Sequence, residues 1–291
     1  MNYEMILYST EQFAEGAVAT ITMNRPDKMN SMNVQLTEEM LAALREADED
    51  DEVKVVVING AGRAFSAGYD LERVYYVYGG GSGKPKDRTE RPSQRARLKY
   101  DRWRTETLRQ IFLYPKVTIA QVHGYCIGGG LYTSLCCDLT IAAEDAKMGH
   151  AEQRLGGGGN THVLPIEIML IGQKKSRELL LTGKLIDGKE AERIGLVNKA
   201  VPSDQLEEET RKMAQAITLM GRDGIRIGKA WSHMVYDIMG LTASFTQGYL
   251  SHTMMTGMSF APNEFNFLKT RRDIGVAKAT KALNKRYEGL V

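Results

Sequence analysis

A chain of 291 residues, 43% hydrophobic and 25% charged, is long enough to bury a sizeable core in one large domain or two modest ones. Its 38 Lys and Arg balance 36 Asp and Glu, a formal net charge of +2, so no dominant basic face for nucleic acid is expected. Cys126, Cys136 and Cys137 lie in one apolar region without metal-ligand spacing, and no stretch is apolar enough to cross a membrane. A reduced cytoplasmic protein with no bound metal, no membrane span and no signal peptide is the expectation.

In chain order, residues 17–24 are rich in β-formers and predict a strand. Apolar residues at helical spacing (Leu36, Met40, Leu41, Leu44) predict an amphipathic helix over 34–50. The β-branched run 53–60 predicts a strand buried on both faces. A basic insertion occupies about 76–105, and over 84–109 ten Lys and Arg stand against four Asp and Glu, a local +6. It reads either as a solvated loop with a charged helix face or as a lid whose cations meet a phosphorylated ligand. Helical periodicity at about 95–113, a strand at 117–123, a helix at 129–137 and a strand at 138–143 continue an alternation that predicts an α/β fold with a parallel sheet.

Asp187 as N-cap, with Glu190 three residues on, predicts a short helix opened by a capping box, and 197–202 reads as a further strand. From Ser203 only helices are predicted, at 203–220, 223–239, 241–257 and 262–273, followed by a Lys/Arg-rich end. The expected organisation is a strand-rich core over 1–202 and a helical region over 203–291. The methionines of that region (Met234, Met239, Met254, Met255, Met258) suit packing or a subunit interface better than a ligand box.

The chemistry starts at Gly128-Gly129-Gly130, which ends the apolar run 117–127 and opens the helix at 129. The first N–H groups of a helix have no intrahelical acceptor, and glycines let an oxygen reach them. A phosphate cradle or tight strand–helix packing are alternative uses, although neither GxGxxG nor GxxxxGK[ST] is present. A second turn, Ala67-Gly68-Tyr69-Asp70, follows another apolar run. Two such turns at the carboxyl ends of parallel strands could aim two N–H groups at one carbonyl oxygen.

Four segments, "ITMNRPDKMNSM", "VVVINGAGRAFSAGYDL", "VHGYCIGGGLYTSLCCDLTIAAEDAKMGHAE" and "LLTGKLIDGKEAERIGLVNKAVP", resemble the crotonase, or enoyl-CoA hydratase/isomerase, superfamily in order over about residues 15–202. The resemblance implies a spiral of ββα units, a C-terminal helical oligomerisation region, a homotrimer or homohexamer, and an acyl-CoA substrate that brings coenzyme A with it. It needs no separate cofactor, no nucleic acid and no membrane. It puts the oxyanion-hole N–H groups on Tyr69 and Gly129. It puts substrate and CoA contacts on Lys28, Met29, Ala67 and Gly68, with Asp70 closing the same turn.

Of the two glutamates used by hydratases of this family, one matches Glu152 and the other position is Tyr132. Asn160 stands where some relatives carry an aspartate, and it could hold a water or a substrate oxygen. His150 and His162 flank the same site, as substrate contacts or, in the sharper reading, as titrating groups. Water addition needs one group to activate water and one to deliver a proton. With one carboxylate, enoyl-CoA hydration and double-bond isomerisation through a stabilised enolate rank close together. Hydrolytic C–C cleavage of a cyclic β-keto acyl-CoA, or an acyl-CoA-binding oligomer that has lost its chemistry, are the alternatives. The glycines of "QRLGGGGN" suggest a substituted or cyclic acyl group, or simply a permissive loop.

Overall fold

The computed structural model describes residues 2–70, 93–150, 154–155, 162–255 and 260–290. Two strands open the chain: β1 (Ile6–Phe13) and β2 (Gly16–Met23) pair antiparallel along their whole length. β1 is a largely exposed edge strand of mostly polar residues, so its sequence carries little β signal. Helix α1 (Val34–Glu49) starts where the Asn33 side chain accepts from the Leu36 N–H at 2.8 Å, and it buries Leu36, Met40, Leu41 and Leu44.

A unit of two strands and a helix then recurs. β3 (Val53–Gly60) and β4 (Ala64–Ser66) precede α2 (Gln94–Phe112). β5 (Val117–Val122) and β6 (Tyr125–Ile127) precede α3 (Gly129–Cys136). β7 (Leu139–Ala143) and β8 (Lys147–Gly149) precede α4 (Leu164–Thr182), which is broken at Gly172. Each unit gives its first strand to one sheet and its second to another. The larger sheet ends in β10 (Lys199–Val201) and runs β1-β2-β3-β5-β7-β10, parallel from β2 onward. The smaller sheet runs β4-β6-β8-β9, where β9 (Leu185–Ile186) is antiparallel to β8. As its β-branched run predicts, β3 is buried on both faces over Val53–Ile58.

Buried cations close helix ends. Lys116 donates to the carbonyls of Ala47 (2.7 Å) and Asp50 (2.6 Å) at the C-terminus of α1, where carbonyls lack intrahelical donors. Helix α5 (Gly188–Arg193) is capped by Asp187, whose carboxylate accepts from the Glu190 N–H at 2.8 Å. The second half of the expected capping box is not made, because the Glu190 carboxylate pairs with Arg193 instead.

Beyond β10 the described chain is helical: α6 (Leu206–Thr218), α7 (Arg222–Ile238), α8 (Leu241–Met255), α9 (Phe267–Ile274) and α10 (Val276–Lys285). The helix expected over 262–273 begins only at Phe267, because Asn266 caps it there by accepting from the Lys269 N–H at 2.9 Å. The Lys/Arg-rich end is itself helix α10. No helix among the described residues is long and apolar enough to cross a membrane. The Gly/Ser part of the basic insertion, 76–92, lies outside the described residues, and its remainder forms the first half of α2, exposed over its first turns and buried at Asp101, Arg104 and Thr105.

Candidate active site

Because β4, β6 and β8 are parallel neighbours, with Ser66 opposite Cys126 and Ile127 opposite Gly149, their carboxyl ends lie side by side. They lead into the turns Ala67–Asp70 and Gly128–Gly130 and to His150. A further loop, after β2, lines up with the first. Met29 and Asn30 are both left-handed (φ 49° and 52°), and the Asn30 amide fixes the bend. Its Nδ2 donates to the carbonyls of Ala61 (2.8 Å) and Ala64 (2.7 Å), and its Oδ1 accepts from the Arg25 N–H at 2.9 Å. Backbone bonds Ala67 N–H to Met29 O (2.9 Å), Met32 N–H to Gly68 O (2.7 Å) and Asp70 N–H to Met32 O (3.0 Å) then join the two loops. Lys28, Met29, Ala67, Gly68 and Asp70, far apart in sequence, thus form one strip. The Asp70 carboxylate accepts from Arg25 at 3.1 Å and is buried, which ties the strip together.

Glycine is required at two points of this arrangement. Gly68 has φ +88°, and a Cβ there would lie 2.6 Å from the Ile127 oxygen and 3.2 Å from the Gly129 nitrogen. A Cβ on Gly129 would meet the Tyr69 ring at 3.0 Å. The Gly68–Tyr69 peptide is therefore packed against the first turn of α3, whose leading N–H groups have no intrahelical acceptor. Two N–H groups brought together in this way can hold a developing oxyanion.

Tyr132, one helical turn into α3, is 2% exposed. Its ring centroid lies 6.4 Å from Tyr69, 5.9 Å from His150 and 6.0 Å from His162. His150 bonds through Nε2 to the Glu167 carboxylate, whose other oxygen accepts from Ser176 Oγ at 2.7 Å; all three residues are fully buried. His162 bonds through Nδ1 to Thr105 Oγ1 at 2.7 Å and stacks on His252, ring centroids 4.9 Å apart. His252 and Thr253 in turn hold the buried Asp101 carboxylate, at 3.0 and 2.7 Å. The Arg104 guanidinium lies 3.6 Å over the Tyr69 ring and donates to the Tyr100 hydroxyl at 3.1 Å. Burial, then the neighbouring His252 and Arg104, push the His162 pKa well below that of a free histidine, so its imidazole is neutral.

Glu152 and Asn160 lie outside the described residues, in the segments that run between His150 and His162. No group of three or more His, Cys, Asp or Glu that could hold a metal ion occurs among the described residues. The sequence reading did not single out Arg104, Asp101, Thr105, Glu167 or His252. Glu167 offered one signal, a lone acid within the apolar stretch "VLPIEIMLI". The others sit on helices whose burial depends on partners far along the chain.

A family model described as enoyl-CoA hydratase/isomerase matches residues 14–256. The chain is 32% identical over 267 residues to a probable enoyl-CoA hydratase of Mycobacterium tuberculosis, covering 91% of this chain and 93% of that protein. It is 34% identical over 201 residues to a hydroxycinnamoyl-CoA hydratase-lyase of Pseudomonas fluorescens, covering 69% of each. The crystal structure of an enoyl-CoA hydratase/isomerase from Xanthobacter autotrophicus superimposes with a TM-score of 0.84. That match has 29% identity and covers 98% of this chain and 99% of that one.

Proposed function

Because the chain belongs to the enoyl-CoA hydratase/isomerase family and has its fold, we propose that it works on an acyl-CoA thioester through an enolate whose oxygen is held by the N–H groups of Tyr69 and Gly129. The single observation that carries this reading is the Gly68–Gly129 contact, where a Cβ would stand 3.2 Å from the Gly129 nitrogen. The close contact holds the two peptides side by side, so charge forming on a thioester oxygen that reaches both N–H groups meets preset donors at little reorganisation cost. Coenzyme A enters as part of the substrate, along the strip of Lys28, Met29, Ala67 and Gly68. The exposed cations Arg95 and Lys99 near the start of α2 suit its phosphates.

In this reading Glu152 takes and returns the α-proton. Tyr132, a poor base at neutral pH, donates a hydrogen bond where two-glutamate hydratases have a carboxylate, and Asn160 orients a water or substrate oxygen. With one carboxylate, the reaction is proton transfer at the α-carbon, leading to hydration or to double-bond migration on a substituted or cyclic acyl group. The protein works as a homo-oligomer, supported by exposed apolar side chains along α7, and in the cytoplasm, supported by three free cysteines.

The test is exchange of the α-proton in deuterated water, followed by mass spectrometry over straight, branched, aromatic and alicyclic acyl-CoA thioesters. At least one should exchange, and Glu152→Gln should slow it by about 10²–10⁴. Thioesters that bind without any exchange would overturn the reading in favour of a non-catalytic binder.

A further inference from the structure

Two buried histidine rings, His150 and His162, stand around Tyr132 with the part-buried His252 one layer behind, and they are not equivalent. His150 has the Glu167 carboxylate and His252 has the Asp101 carboxylate. His162 has only the Thr105 hydroxyl, on Nδ1. Its Nε2 is buried, in a residue 1% exposed, and has no hydrogen-bond partner among the described residues. A buried ring nitrogen left unpaired costs folding stability, so natural interiors rarely keep one without a use.

The surroundings say what would pair with it. Nδ1 and Nε2 lie on opposite sides of the imidazole, so Thr105 holds the ring to α2 and leaves Nε2 directed away from that helix. One face is covered by His252, and the ring stands edge-on to Tyr132, which follows Gly129 by one helical turn. Tyr132 thus has two histidine rings about equally near, His150 at 5.9 Å and His162 at 6.0 Å, and of the two His150 is held by the Glu167 carboxylate. His162 is also a neutral group in a buried place beside the Arg104 cation. Such a nitrogen does not act as an anion's counter-charge; it makes one directional hydrogen bond to a neutral oxygen.

We infer that the acyl pocket ends on His162 Nε2 and selects acyl groups that carry a neutral oxygen function, a hydroxyl or a ketone, beyond the reacting carbons. The inference rests on the acyl-CoA reading above and narrows it from any substituted acyl group to an oxygenated one. The Thr105 bond sets which kind. If Thr105 donates to Nδ1, then Nε2 bears the proton and meets either oxygen; if Nδ1 donates to Thr105, Nε2 is an acceptor and only a hydroxyl serves.

Binding of three unreactive probes by calorimetry tests it: cyclohexanecarbonyl-CoA and its 4-hydroxy and 4-oxo derivatives, with the 3-substituted pair alongside. A site built to pair a substrate oxygen discriminates against the analogue that lacks it, so at least one oxygenated probe should bind about tenfold or more tighter than the parent. His162→Leu should bring that ratio close to one. Thr105→Val, which keeps the ring but releases its Nδ1 partner, should reduce the ratio and serves if the leucine variant does not fold. Equal binding of parent and oxygenated probes, or a preference that survives in both variants, would overturn the inference and leave the enolate reading standing. No binding of any of the thioesters would overturn both.

Discussion

Tyr132 stands, in the proposed reading, where two-glutamate hydratases carry a carboxylate, and its setting allows its role to be tested. A phenol packed among three other rings, 2% exposed, fills space whatever else it does. Tyr132→Phe keeps that packing, so stability should hardly change, and any loss of rate measures the hydroxyl. Loss of a donor of the oxyanion-hole kind costs roughly 10²–10³ in kcat; an unchanged kcat makes the residue a filler. Crotonyl-CoA, a short linear test substrate, should be hydrated slowly or not at all by the wild-type protein. Tyr132→Glu should restore part of that activity by returning the second carboxylate. A wild-type kcat/KM for crotonyl-CoA of about 10⁷–10⁸ M⁻¹s⁻¹ would show that one carboxylate and a tyrosine suffice.

Helix α7 explains itself only outside the single chain. Ile227, Trp231, Met234, Val235, Ile238 and Met239 recur at helical spacing, and they are exposed by 46–78%. Only Ile225 on this helix is buried. A stripe of this kind is costly to leave in water, since burying one such side chain fully is worth about 1.5–3 kcal/mol. A second copy of the chain is the occupant the family resemblance implies. The wild type should then be a trimer or hexamer by light scattering, and Ile238→Asp should give a folded monomer, because a charge would have to be buried in the interface. A wild-type monomer, or a variant with unchanged mass, would remove the case for this face. At the far end of the helical region, α9 and α10 close on their own small apolar cluster around Phe267, Ala279 and Leu283. Leu155 packs on that cluster and Arg154 lies over the Tyr287 ring at 4.2 Å, so the C-terminal pair holds the two residues between the segments that carry Glu152 and Asn160.

The whole molecule feels the polar cluster through pH. His162 is held neutral in the folded state, by burial and by the nearby His252 and Arg104, while in the unfolded chain it titrates near 6.5. Below that value the unfolded state binds a proton that the folded state refuses, so stability should fall as pH drops from about 6.5 toward the depressed folded value, and hold above it. His162→Asn, which is polar but does not titrate, should flatten that part of the urea-unfolding profile. Identical pH slopes for wild type and variant below 6.5 would mean that this ring does not report on folding.

The amino-acid sequence by itself determined the parallel α/β plan, the family and the two glycine turns, because each rests on local signals. β3 and β5 announce themselves as β-branched runs, α1 by its 3.6-residue period, α5 by the Asp187 cap, and the turns by glycines that no side chain can replace. The strands β4, β6, β8 and β9, at two or three residues, are too short to show a period, and only pairing to neighbours makes them strands. The buried cluster was decided by tertiary structure alone. His150 meets Glu167 17 positions away, Thr105 meets His162 at a separation of 57, and Asp101 meets His252 at 151. A polar residue looks the same in sequence whether it ends in solvent or in such a pair, and only the docking of α2 and α4 against α8 takes these groups out of water and makes their partners matter.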